Sequence, residues 1–82
     1  MNIDYEKFLC ELVKPLVCYP NEVVVKIFAE EDDNIVIQIM VNEEDQGRII
    51  GKNGRIITAI KTIAYAAASR NGKKIDVTVD SF

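Results

Sequence analysis

"DQGRIIGKNGRIITAIKTIA", residues 45–64, places glycines at 47, 51 and 54 among isoleucines and basic residues, where a long helical pattern begins. Two uses of glycine fit such a stretch: a tight turn between helices, or a close approach of backbone amides to a phosphate. Counting rules out two nucleotide loops. A Walker A loop puts four residues between its first glycine and the Gly-Lys, then a Ser or Thr for Mg²⁺. Here three residues separate Gly47 from Gly51-Lys52, and Asn53 follows. The dinucleotide fingerprint GxGxxG fails because the chain contains no GxG. What remains is Gly51-Lys52-Asn53-Gly54, a two-residue connection with glycine at both ends. The helix that follows offers unpaired N–H groups and a partial positive charge, both attractive to an anion. Lys52 adds a mobile full charge, Arg48 and Arg55 flank the loop, and Lys61 follows. Local chemistry leaves two possibilities open, an anion cradle or a tight turn edged by solvated bases.

Upstream of the loop, Asn42 with Asp45 three residues on starts a short helix, "EEDQGRII", which Gly51 stops. Downstream, Ile56, Ile60, Ile63, Ala64 and Ala67 keep helical spacing, and the pattern runs to Arg70 before Asn71-Gly72 closes it. "KIDVTVD" then alternates as a strand with Ile75, Val77 and Val79 inward. Nearer the start, Asp4 caps a helix whose apolar face is Phe8, Leu9, Leu12, Val13 and Leu16, and Pro15 ends or kinks it. "VVVKIFA" and "IVIQIMV" form a hairpin across the acidic connection "EEDDN", of about five residues. Their inward residues are Val23, Val25, Ile27, Ile35, Ile37, Ile39 and Val41. The order is αββααβ in one α+β domain, residues 1–82, without linker, repeat or low-complexity tract.

Composition narrows the function. A chain of 82 residues buries roughly 60% of its unfolded surface, so the core is small. The apolar runs fall far short of a spanning helix, and "MNIDYEKF" has neither the basic nor the apolar region of a secretory leader, so the expected location is cytoplasmic. There is no histidine, and Cys10 and Cys18 have neither redox-pair nor zinc spacing. No catalytic residue, metal or cofactor is therefore expected, and an enzyme is disfavoured. Net charge is −3 but uneven. Residues 1–45 hold three lysines and eleven acids, whereas residues 46–82 hold seven Lys/Arg and two acids. Arg48, Lys52, Arg55 and Lys61 focus positive potential around the glycines.

"RIIGKNGRII" resembles the signature of the KH domain, an aliphatic-Ile-Gly-x-x-Gly-x-x-Ile motif whose GxxG loop clamps four nucleotides of single-stranded RNA or DNA. One strand after the long helix, and a helix plus two strands before the motif, match the type II, bacterial-style fold. That fold implies a three-stranded mixed sheet packed on three helices. Over nearly its whole length the chain is similar to the small stand-alone bacterial KH proteins of the KhpA type, with "DQGRIIGKNGRI", an Ala-rich helix and "LVKPLV" as the points of likeness.

The resemblance implies an RNA-binding, chaperone-like or post-transcriptional role. It also implies a partner, a larger KH protein of the KhpB (Jag) type or a second copy, and a link to cell shape. It puts Gly51, Lys52, Asn53 and Gly54 on the GxxG loop and Ile49, Ile50 and Ile57 on the flanking apolar positions. No aromatic residue stands in or beside the motif, so base stacking is not available there and binding is expected to be weak and permissive.

The acidic turn Glu30–Asp33 would repel phosphate if it lay near the groove. Val24, Phe28, Val36 and Met40 on the outer hairpin face, and Tyr65 with Thr58, Thr62 and Ser69 on the long helix, are candidate contact surfaces. An assembly or scaffold domain with the same fold is the competing expectation.

Overall fold

Asp4 opens the first helix by accepting a hydrogen bond from the Lys7 N–H at 3.0 Å. The structure, a computed structural model, describes residues 3–82; Met1 and Asn2, part of the N-terminal stretch read above, lie outside them. Helix α1 spans Tyr5–Val13 and buries Tyr5, Leu9 and Val13, spaced four apart along one line of the helix. The expected face was broader. Phe8 and Leu12 are only half-buried and Leu16 is exposed, because the chain passes into a short 3₁₀ turn over Lys14–Leu16 at Pro15. A second such turn covers Pro20–Glu22.

Strands β1 (Val24–Glu31) and β2 (Asn34–Val41) pair antiparallel, with Val25 opposite Ile39 and Ile27 opposite Ile37. Their connection is tighter than the expected five residues. The ladder continues to Glu31↔Asn34, leaving Asp32 and Asp33 as the turn, with Asp32 at φ +52°. The register slips between Ile27 and Ala29, so Phe28 is the extra residue of a bulge. Beyond the bulge Glu30 pairs with Ile35 and reaches Lys73, 3.4 Å away.

Helix α2 (Glu43–Ile50), helix α3 (Arg55–Ser69) and strand β3 (Lys74–Ser81) complete the order αββααβ. Strand β3 pairs with β2 in parallel, giving a mixed sheet in the order β1-β2-β3, with α2 and α3 packed against β3 and α1 against β1. Ile35, Ile37, Ile39, Val41 and Val77 fill the core from the sheet; Leu9, Val13, Ile49, Ile60, Ala64 and Ala68 fill it from the helices. Ile63 was expected in that stripe but is 45% exposed. The buried line centres on Ala64, and at about 100° per residue Ile63 lies at its margin.

The link from α3 to β3 fixes the polarity of the molecule. Lys74 N–H donates to the Asp33 carbonyl at 2.7 Å, which sets the C-terminal end of α3 beside the acidic hairpin turn. The GxxG loop stands at the other end of α3, about 22 Å away along a helix of 15 residues. The acidic turn is therefore remote from the loop.

Candidate nucleic-acid interface

Asn42 caps α2, its side-chain oxygen accepting the Glu44 N–H at 2.8 Å. Asp45 does something the sequence reading missed. It is the one buried charged residue among those described, and it does not complete the cap with its side chain. Its two carboxylate oxygens accept the N–H groups of Cys18 and Tyr19 at 2.9 and 3.0 Å. The carboxylate thus ties α2 to the irregular segment between α1 and β1. Tyr19 adds an exposed tie, its hydroxyl donating to Glu44 at 2.9 Å. That hydrogen bond and the Glu44 charge raise the Tyr19 phenol above its ordinary range.

Helix α2 ends at Gly51, whose N–H bonds the Gly47 carbonyl at 2.9 Å. Gly51 (φ +76°), Asn53 (φ +58°) and Gly54 (φ +72°) are all left-handed, and together they reverse the chain into α3. The two loop glycines serve different ends. A Cβ on Gly51 would lie 2.9 Å from the Ile56 Cβ and 3.0 Å from its backbone nitrogen, so the turn closes directly onto the start of α3. A Cβ on Gly54 would meet only Ile57 Cγ2 at 3.9 Å, so its backbone conformation is the constraint there. Asn53 takes the left-handed region that asparagine tolerates better than other non-glycine residues.

Lys52 and Asn53 are exposed at the tip, and their N–H groups make no backbone hydrogen bond. The tip therefore presents two free amides, a cationic side chain and an amide side chain to solvent, next to the positive end of α3. Arg55 and Lys61 are exposed and make no ion pair among the described residues. Arg48 is turned back onto its own helix, donating to the Glu44 carbonyl at 3.2 Å and lying 3.8 Å from Asp45. Lys61 and Arg55 are about 120° apart around α3; Lys61 shares its side with Ile57 instead.

The isoleucines divide. Ile49 is fully buried in the core, Ile50 is 37% exposed, and Ile56 and Ile57 are half-buried against the core. Of the aliphatic residues beside the loop, Ile50, Ile56 and Ile57 retain surface that a base could touch. A separate cleft lined by Tyr5, Ile27, Glu30, Asn71 and Lys73 lies beside the hairpin turn, at the far end of α3, and includes no loop residue.

Order αββααβ, a mixed three-stranded sheet and a GxxG turn between the second and third helices define a type II KH domain. The chain belongs to the KhpA/KhpB KH-domain family, whose profile matches residues 6–79. Among curated relatives, it is 43% identical over 74 residues to the RNA-binding protein KhpA of Listeria monocytogenes, covering 90% of this chain and 96% of that one. It is 35% identical to the RNA-binding protein KhpA of Bacillus subtilis, over 90% of each chain.

Among solved structures, Aquifex aeolicus Era bound to GDP and AlF4⁻ superposes on 95% of this chain with a TM-score of 0.75 at 21% identity, the match spanning 30% of Era. Era in complex with MgGDPNP and nucleotides 1506–1542 of 16S ribosomal RNA matches with a TM-score of 0.72 at 23% identity, again over 95% of this chain and 30% of Era. At these identities the likeness to Era concerns the fold.

Proposed function

We propose that this chain is a non-catalytic, cytoplasmic single-stranded RNA-binding protein, acting as an RNA chaperone or post-transcriptional regulator. The observation that carries the proposal is the exposed tip Lys52-Asn53, held between two left-handed glycines with its amides free. The names of the KhpA relatives support the RNA-binding part of this reading. In the proposed clamp, the free amides and the start of α3 hold phosphate oxygens, while Lys52 and Arg55 neutralise charge. Ile50 and Ile57 offer apolar contact to unpaired bases, and Gly51 and Gly54 keep side-chain bulk out of the way of the backbone. Arg48 and Lys61 contribute at the margin, and Ile49 acts from the core by fixing α2.

With so few bases the isolated domain binds weakly, and a protein partner supplies further contact. A larger KH protein of the KhpB type or a second copy is the proposed partner. A protein-assembly role with the same fold is the second reading, favoured by exposed apolar side chains at Phe28, Ile63 and Tyr65.

Salt titration separates the two. Neutralising about two to three phosphates gives a slope of log K against log[salt] of about −1.4 to −2.1 for a single strand. Affinity is near micromolar at best, and an equal-length duplex, whose bases are paired, binds worse. No binding to single strands at low salt, alongside tight binding of a protein partner, would replace the RNA reading with the assembly one.

A further inference from the structure

Two Asn-Gly dipeptides stand in nearly matched surroundings, Lys52-Asn53-Gly54-Arg55 and Arg70-Asn71-Gly72-Lys73. Asparagine before glycine is open to ring closure, because no side chain on the second residue shields its nitrogen from the carboxamide of the first. With the local chemistry matched, the fold decides which site reacts. Asn71 is restrained. It is half-buried, and its side-chain nitrogen donates to the Tyr5 hydroxyl at 3.4 Å and to the Ala67 carbonyl at 3.3 Å. The second bond turns the side chain back along α3, away from Gly72. Backbone bonds from Asn71 and Lys73 to the Ala68 carbonyl and from Gly72 to the Ser69 carbonyl close the turn around it. Asn53 has none of this. The asparagine side chains that donate or accept hydrogen bonds among the described residues are those of Asn42 and Asn71, and Asn53 is exposed. Its turn lies in solvent between two left-handed glycines, and such a segment opens far more readily than one sealed against the core.

We propose that Asn53 is a site of spontaneous, succinimide-mediated conversion to aspartate and isoaspartate, a change that ends the hold of the loop on phosphate. The Gly54 nitrogen, released from the Gly51 carbonyl it bonds at 3.1 Å and losing its proton to water, attacks Asn53 Cγ. A new C–N bond closes the ring, and the carboxamide nitrogen leaves as ammonia. Water then adds to one of the ring carbonyls. Opening at Cγ gives aspartate in an unaltered main chain; opening at the main-chain carbonyl of residue 53 gives isoaspartate, with the chain routed through the side chain. In sum, asparagine and water become a carboxylic acid and ammonia, without oxidant or reductant. Either product sets a negative charge beside Lys52 and Arg55 where a neutral amide stood. The site assignment is independent of the RNA reading, whereas the consequence for phosphate rests on it. In the clamp proposed above, the Lys52 and Asn53 amides hold phosphate oxygens, so a bound strand keeps the turn closed and conversion befalls the free protein.

The test is peptide mapping by mass spectrometry of the whole chain, incubated at mildly alkaline pH. It compares folded protein, protein in guanidinium, and folded protein with a labelled mixed-sequence single-stranded RNA. Folded protein should convert Asn53 about tenfold or more faster than Asn71. In guanidinium, where only the matched flanks remain, the two rates should agree within about twofold. With the strand at about ten times its Kd, conversion of Asn53 should slow about tenfold, because only the free fraction reacts. The acidic product, separated by anion exchange, should bind the strand about tenfold or more weakly, its slope of log K against log[salt] shallower by about 0.7. An Asn53 that stays intact, equal folded rates, or Asn71 converting first would overturn the site. A converted chain that binds as tightly as a fresh one, or a rate that bound RNA leaves unchanged, would overturn the coupling to RNA. A fresh chain that binds no single strand would overturn the clamp itself, and the mapping would still decide the site.

Discussion

Gly51 and Gly54 share a sequence motif and a sign of φ, yet only Gly51 is also packed from outside. Alanine at 54 has open space and bears the cost of a left-handed backbone, about 1–2 kcal/mol. Alanine at 51 meets that cost and also crowds Ile56, for a total of about 3 kcal/mol. Urea unfolding should rank the two in that order; equal losses would mean that the contact with Ile56 relaxes freely. Valine at 54 should lower both stability and RNA affinity, because branching at Cβ is ill suited to positive φ and fills the approach to the loop. The spacing of the glycines was legible in the sequence, but their division of labour was not. It depends on where Ile56 lands after the turn, and only the folded helix pair fixes that. The same holds for Ile49, Ile50 and Ile57, alike in sequence and unlike in burial.

Helix α2 is short, and polar ties add to the attachment that its apolar face provides. Replacing Asp45 by alanine leaves the Cys18 and Tyr19 amides without their acceptor and should cost about 2–4 kcal/mol in thermal or urea unfolding. Asparagine, with one acceptor oxygen in place of two, should lie between wild type and alanine. The Tyr19–Glu44 bond adds a pH signature. A phenol raised in the folded state stabilises fully below its unfolded value, near 10, and that contribution is lost as pH rises through the folded value. Tyr19→Phe should therefore flatten the alkaline limb of the stability profile and leave its shape at neutral pH unchanged.

Periodicity located all six main elements, because alternation and helical spacing are local properties. It placed Ile63 in the core and stretched the hairpin turn, since the centre of a helix stripe and the last pair of a ladder are settled by packing. The bulge at Phe28 has no local sequence mark. Asp45 was legible only as a capping residue, because its partners lie 26 and 27 positions away.

Across the molecule, the length of α3 separates the acidic hairpin turn from the basic loop, although Arg70, Lys73 and Lys74 share the hairpin's end. Acidic Glu31, Asp32 and Asp33 sit at the C-terminal end of α3, and Lys52 and Arg55 sit at its start. A separation of about 22 Å is well beyond the Debye length of about 8 Å at physiological salt. Converting Glu31, Asp32 and Asp33 to their amides should therefore change single-strand affinity less than about twofold at that ionic strength. A large gain would show that bound RNA reaches the hairpin. The central claim is that the loop itself holds the RNA. Lys52→Asp combined with Asn53→Asp tests it most directly, since both side chains are exposed and aspartate also tolerates the left-handed conformation at 53. Titration of a labelled single strand, with the melting temperature measured in parallel, should show binding abolished in a variant as stable as wild type. A folded double variant that binds the strand as tightly as wild type would contradict the account.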